Sequence, residues 1–130
     1  MLDDKEFLER MRLTYLEESR EKIQSLYALL ENWASSPEDL DAFQSFERAV
    51  HNLVGSGASF GVPRITDAGK AYENFLNWFK EKRLKLNPQR LAVMREAISE
   101  IDNIFAGERN GAPLEVGSCR ILTIFKNSTG

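Results

Sequence analysis

The chain has 130 residues, of which 42% are hydrophobic and 28% charged, a balance that fits one globular domain and excludes a disordered chain. The formal net charge of −3 argues against nucleic acid as a partner held through phosphate contacts. No apolar run approaches the roughly 20 residues that a membrane-spanning helix needs, and the single Cys119 cannot form an internal disulfide. We therefore expect a cytoplasmic, mostly helical, single-domain protein with no membrane partner. The sequence leaves the oligomeric state open, and we favour a monomer.

A long amphipathic pattern opens the chain. From about Asp4 to Trp33, apolar residues recur at three- and four-residue steps, broken only near Ser19. This spacing predicts one long helix with a single apolar face. The stretch "ASSPEDL" that follows has a serine, a proline and two acidic residues in succession. It predicts that Ser36 caps a second helix whose first residue is Pro37.

Three further apolar stripes predict three more helices. The second helix should weaken at "GSGASFG", because each glycine costs about 1 kcal/mol relative to alanine in a helix. Pro63 can open the third helix, Asn87 and Pro88 repeat the cap-then-proline signal for the fourth, and Gly107 can cap its end. Four such helices with short connections predict an all-α, antiparallel four-helix bundle over residues 1–106.

The remaining residues, 107–130, have a different composition. "GERNGAPLEVGS" is typical of a linker, and "CRILTIF" is a short β-branched run that favours a strand. We expect an irregular or strand-like tail. It is either the start of another domain or a terminus that docks loosely on the bundle, and the pattern leaves both alternatives open.

The only histidine in the chain, His51, lies in "AVHNLVGSGASFGV", residues 49–62. With Val50 at the centre of the apolar face, His51 lies about 100° away, between the core and the solvent. Gly55 occupies the same position one helical turn later. Because residues at i and i+4 stack on one helix face, the missing side chain at Gly55 leaves one approach to the imidazole open.

The third helix offers partners for this ring. If "SFGVP" is the turn, the second and third helices run antiparallel, and residues near position 71 come level with His51. Glu73 lies off the apolar face there, and its carboxylate could accept a hydrogen bond from Nδ1–H. That bond would fix the ring tautomer and leave Nε2 free as a nucleophile. Lys70 could supply positive charge for an anion that arrives at this nitrogen.

The segment "FERAVHNLVGSGASFGVPRITDAGKAYE" resembles the histidine phosphotransfer (HPt) domain, including the version found at the N-terminus of chemotaxis kinases. The family pattern is His-x-Leu-Lys-Gly, then small residues, then a glycine ten positions after the histidine. The residues that fill these places are His51, Leu53, Gly55 and Gly61. Glu73 stands 22 residues after the histidine, where the chemotaxis version has the glutamate that hydrogen-bonds the ring. The resemblance covers roughly residues 4–106.

One position departs from the family pattern. The lysine three residues after the histidine, which attends the phosphoryl group in the family, is replaced by Val54. Lys70 or Arg64 is a candidate substitute. The departure bears on the rate of phosphoryl transfer more than on the fold.

The resemblance implies a phosphorelay intermediate and not an enzyme with its own kinase activity. His51 would accept a phosphoryl group from a kinase or from an aspartyl phosphate of a response-regulator receiver domain, and pass it to a receiver aspartate. The resemblance implies no cofactor, because ATP is not bound and Mg²⁺ belongs to the receiver.

Two other functions are compatible with the same residues. A bundle of this fold could bind a receiver or a kinase without transferring phosphate, and Val54 is the best support for that interpretation. A purely structural or dimerising helical domain is the other, in which Lys70 and Glu73 form an ordinary ion pair. We expect no metal site, because Cys119 has no histidine or second cysteine nearby in the sequence.

Overall fold

The computed structural model describes residues 3–113 and 117–129, which form six helices and, within those ranges, no strand. The helices are α1 (Asp4–Glu17), α2 (Ser19–Ser35), α3 (Leu40–Ser59), α4 (Pro63–Glu81), α5 (Pro88–Arg109) and α6 (Gly117–Thr129). Helices α2 to α5 form the bundle, α1 precedes α2 with one residue between them, and α6 packs against α4 and α5. The predicted all-α bundle is confirmed.

The predicted first helix is in fact two helices, interrupted at Glu18. Next to the interruption, Ser19 is fully buried, and its hydroxyl donates a hydrogen bond to the carbonyl of Leu16 at 2.6 Å. The same hydroxyl accepts a hydrogen bond from the guanidinium of Arg109. A serine bonded back to the preceding turn competes with the regular helical hydrogen bonds. The interruption therefore falls where the apolar pattern is broken.

The N-cap of α3 differs from the prediction. Asp39, not Ser36, is the cap, and its carboxylate accepts hydrogen bonds from the backbone N–H groups of Asp41 and Ala42 at 2.9 and 3.3 Å. The carbonyl of Ser36 instead accepts the N–H of Asp39 at 2.9 Å, which closes a turn before the helix. The carboxylate satisfies two of the free N–H groups of the first helical turn, so the helix begins after it.

The end of α5 also corrects a prediction. Gly107 lies inside the helix, which continues to Arg109, and the residue that reverses the chain is Gly111, at a φ of +71°. The N–H of Ala112 donates to the carbonyl of Gly107 at 2.8 Å. This 6→1 hydrogen bond with a glycine in the left-handed region is the usual Schellman ending of a helix.

The predicted strand-like tail is wrong, because the chain forms α6 there. Ile121 and Phe125 of α6 are buried. The ring of Phe125 stacks on that of Phe75 at a centroid distance of 4.2 Å and meets Tyr72 edge-on at 5.0 Å. Residues 114–116 of the predicted linker and the side chain of Cys119 lie outside the described part. The division of the chain at residue 106 stays a prediction.

Helices α3 and α4 approach closely at Gly57. A Cβ atom on Gly57 would lie 2.6 Å from the backbone nitrogen of Thr66. The hydroxyl of Thr66 donates to the carbonyl of Val54 at 2.9 Å and accepts the N–H of Ala58 at 2.7 Å. These two backbone groups are i, i+4 partners in a regular helix, so the hydroxyl bridges them. The glycine-rich stretch, predicted to weaken, stays helical with this support from α4.

Gly57→Ala should lower the free energy of unfolding by about 1–3 kcal/mol, because its methyl group would collide with the backbone of α4. Gly55→Ala is the matched control. A Cβ atom there meets no atom within 4 Å, so the same change should raise stability by about 0.5–1 kcal/mol through helix propensity. Urea denaturation of both variants measures the two effects, and equal effects would contradict the close approach of the helices.

Phe125→Ala should lower the free energy of unfolding by about 3–5 kcal/mol, because the ring is buried against Tyr72 and Phe75 of α4. The control is Leu122→Ala on the same helix, whose side chain is 55% exposed and whose loss should change stability by roughly 0.5 kcal/mol or less. A Phe125 variant as stable as its control would show that α6 does not share the core of the bundle.

Candidate functional site

His51 projects from the middle of α3 toward α4. Its side chain is 68% exposed, and Nδ1 lies 2.6 Å from a carboxylate oxygen of Glu73, whose side chain is 27% exposed. The structure therefore brings together the two residues that the helical geometry placed level with each other. The ring is open to a partner, while the carboxylate is held mostly against the protein.

The contact between Nδ1 and Glu73 determines the form of the neutral ring. A carboxylate accepts hydrogen bonds and does not donate, so the proton of the neutral imidazole lies on Nδ1. Nε2 then carries a lone pair and no proton. An exposed histidine with a lone pair on Nε2 is a nucleophile toward an electrophilic group delivered from outside.

The register between α3 and α4 aligns this pair. The two helices run antiparallel from a turn in which Gly61 has a φ of +82° and the N–H of Val62 donates to the carbonyl of Gly57 at 2.7 Å. Contacts then follow in antiparallel order along the two helices. From the turn outward they join Gly57 with Thr66, Val54 with Gly69, His51 with Glu73, and Glu47 with Lys80.

The His51–Glu73 pair opens onto a groove of about 510 Å³ between α3 and α4. The other residues that line it are Gln44, Glu47, Arg48 and Asn77. The carboxylate of Glu47 is paired with the ammonium of Lys80 at 3.0 Å. Both carboxylates of the groove therefore have partners before any ligand arrives.

The two predicted substitutes for the family lysine lie in different places. Arg64 is at the start of α4 and donates a hydrogen bond to Glu108 at 3.2 Å, so it supports the end of the bundle. It is nine residues before Glu73, which is about 13 Å along the helix. Lys70 is exposed on the same helix, one turn from Glu73, and its ammonium has no ionic partner within the described residues.

The resemblance also implies that Gly55, Gly61 and Val54 serve the access and docking of a partner, and the three residues have distinct surroundings. Gly55 is exposed, and a Cβ atom there would meet no atom within 4 Å. Val54 is half-buried, with a methyl carbon 3.1 Å from the position of a Cβ on Gly69. Gly61 lies in the turn, where a φ of +82° favours glycine. Open space beside the ring is thus found at Gly55, and Val54 faces the helix interface.

Arg48 is a groove residue that the sequence analysis missed. It precedes His51 by three residues on α3, and residues three apart lie side by side on one helix face. The partners predicted for the ring all lie on the facing helix, whereas Arg48 lies on the preceding turn of α3 itself. The i−3 spacing in "RAVH" is the signal that could have found it.

The described residues contain no group of three or more histidine, cysteine or acidic side chains arranged to hold a metal ion. Among the same residues, no helix combines the length and the apolar character that crossing a membrane requires.

The ring tautomer gives a direct test of the pair. Since His51 is the only histidine, ¹⁵N NMR of histidine-labelled protein in alkaline buffer reports the tautomer of this ring alone. The wild type should show the proton on Nδ1, and Glu73→Ala should move it mainly to Nε2. Glu47→Ala is the matched control, because this carboxylate lines the same groove but bonds Lys80. An unchanged tautomer in Glu73→Ala would contradict the orienting role.

Comparison with known proteins agrees with the resemblance that the sequence shows around His51. The family model of the Hpt domain matches residues 10–104, which include α2 to α4 in full and most of α1 and α5. Neither the curated proteins nor the solved structures that were compared with the chain gave a match. Since the matched residues make up more than half of the chain and include His51 and Glu73, the protein belongs to the Hpt domain family.

Proposed function

We propose that the protein is a phosphorelay intermediate in which Nε2 of His51 accepts a phosphoryl group from an aspartyl phosphate of a receiver domain, or from a histidine kinase, and passes it to a receiver aspartate. One observation carries the proposal. Nδ1 is bonded to Glu73 at 2.6 Å while the ring is 68% exposed, so the free nitrogen is available to a partner.

The transfer step follows from the tautomer. The lone pair of Nε2 attacks phosphorus, the P–O bond to the donor aspartate breaks, and the aspartate leaves as a carboxylate. The proton on Nδ1 stays in place, so the phosphorylated ring carries a positive charge. Glu73 compensates that charge through the same hydrogen bond. A positively charged ring is a good leaving group, so the step can run onward to a second aspartate.

The chain's own contribution is positioning and charge compensation, which dominate phosphoryl transfer in general. The described residues of the groove supply a nucleophile and an orienting carboxylate. The receiver would bring the aspartate and its Mg²⁺. This division of labour makes the protein a transfer module without kinase activity of its own.

A second candidate is a bundle that binds a receiver or a kinase without transfer. Val54 favours it, because a half-buried valine stands where the family has a lysine and cannot attend a phosphoryl group. A third, a purely structural or dimerising domain, predicts that His51 can be replaced without functional consequence. The three candidates differ in whether phosphate appears on His51 and whether receivers bind.

Incubation with phosphorylated receivers and with histidine kinases should place acid-labile, alkali-stable phosphate on the wild type. His51→Gln should take up none, because the chain has no other histidine. Asn52→Ala, a change at the exposed neighbouring residue, should leave labelling intact. Binding of receivers without label would favour the non-transferring module, and neither label nor binding would favour the structural domain.

A further inference from the structure

Arg48 carries the one charge in the groove that lacks a partner among the described residues. The carboxylates of Glu47 and Glu73 are bonded to Lys80 and His51. Arg48 also lines the groove, and its guanidinium forms no hydrogen bond or ion pair with a described residue. A free cation next to an exposed nucleophile is available to whatever anion arrives there.

The side chain of His51 leans toward the end of α3 on which Arg48 lies. Side chains on an α-helix lean toward the N-terminus and cover the preceding turn. The ring of His51 therefore leans toward the turn that contains Arg48 and away from that of Val54. Cβ atoms three residues apart are about 5–6 Å from each other, a distance that a long arginine side chain spans.

Lys70 lies on the other side of the ring. Because α3 and α4 are antiparallel, a residue three positions before Glu73 on α4 is displaced toward the C-terminal end of α3, where Gly55 is. Arg48 is displaced toward the N-terminal end of α3, along the groove. The groove is lined by Arg48 and not by Lys70.

We infer that Arg48 binds the phosphoryl oxygens on Nε2 of His51, and so supplies the charge that Val54 cannot. This inference rests on the proposed function of the same histidine. A phosphoryl group brings two negative charges into a groove whose carboxylates are already present. The planar guanidinium can donate two parallel hydrogen bonds to phosphoryl oxygens, which makes arginine better suited to the task than a point charge.

The test uses the full chain and phosphoramidate, a small donor that removes partner docking from the measurement. Nε2 attacks phosphorus, the P–N bond of the donor breaks and ammonia leaves. Phosphohistidine is followed by ³¹P NMR. Arg48→Gln should slow its formation roughly tenfold or more, as expected for loss of a charge-assisted hydrogen bond in the transition state. Arg48→Lys, which keeps the charge, should restore part of the rate.

Two controls separate this role from a general effect. Arg20→Gln removes an equal charge from an exposed position on α2 and should leave the rate within about twofold of the wild type. Urea denaturation should show unchanged stability in Arg48→Gln, because the side chain has no hydrogen-bond or ion-pair partner among the described residues.

A wild-type rate in Arg48→Gln, or a slower rate in Lys70→Gln with Arg48→Gln unaffected, would overturn the inference alone. Absence of label on the wild type, with phosphoramidate and with receivers, would overturn the proposed function and this inference together.

Discussion

The close approach of α3 to α4 is the constraint on which the candidate site depends. Because Gly57 has no Cβ, the backbone and hydroxyl of Thr66 can reach α3 and lock the register of the two helices. His51 lies six residues from this contact along α3 and Glu73 seven along α4, about 9 and 10.5 Å at 1.5 Å per residue. Because these two distances are nearly equal, the carboxylate of Glu73 and the ring of His51 lie at the same height along the two helices. A slip of one residue would turn Glu73 by about 100° away from the ring.

The His51–Glu73 pair is better explained by orientation than by stability. Exposed ion pairs contribute a median of about 0–1 kcal/mol, and this ring is 68% exposed. The bundle has a more buried carboxylate at Glu108, 9% exposed, which pairs with Arg12 at 2.7 Å and Arg64 at 3.2 Å. Loss of one partner there would leave a buried charge poorly compensated, which is costly. That structural demand explains why Arg64, a candidate for the site, is engaged elsewhere.

The part of the site that could be predicted is the part that regular helix geometry controls. A turn at residues 59–63 and a rise of 1.5 Å per residue suffice to bring Glu73 opposite His51.

The predicted strand was wrong because β-branched residues such as Ile121 and Ile124 indicate a strand only by propensity, which tertiary packing overrides. The contact of Phe125 with Phe75 on α4 is long-range, and no local pattern reports it. The predicted N-cap of α3 was wrong because Ser36 and Asp39 can both cap a helix, and only the folded turn decides between them.

A relay residue has to make phosphoryl transfer easy in both directions, which is a different requirement from that of a one-way nucleophile. Under the proposed function, Glu73 compensates the charge that appears on the ring, and Arg48 compensates the charge that arrives with the phosphoryl group. Neither residue gives up or takes a proton during the step, so the forward and reverse reactions meet the same groove. If a general base removed the proton from Nδ1 and kept it, the phosphorylated ring would be neutral. A neutral ring is a poorer leaving group for the second transfer. Under the proposed function, the chain's share of a reversible relay is one exposed ring, one carboxylate and one guanidinium that has no partner among the described residues, and the receiver or kinase supplies the remaining groups.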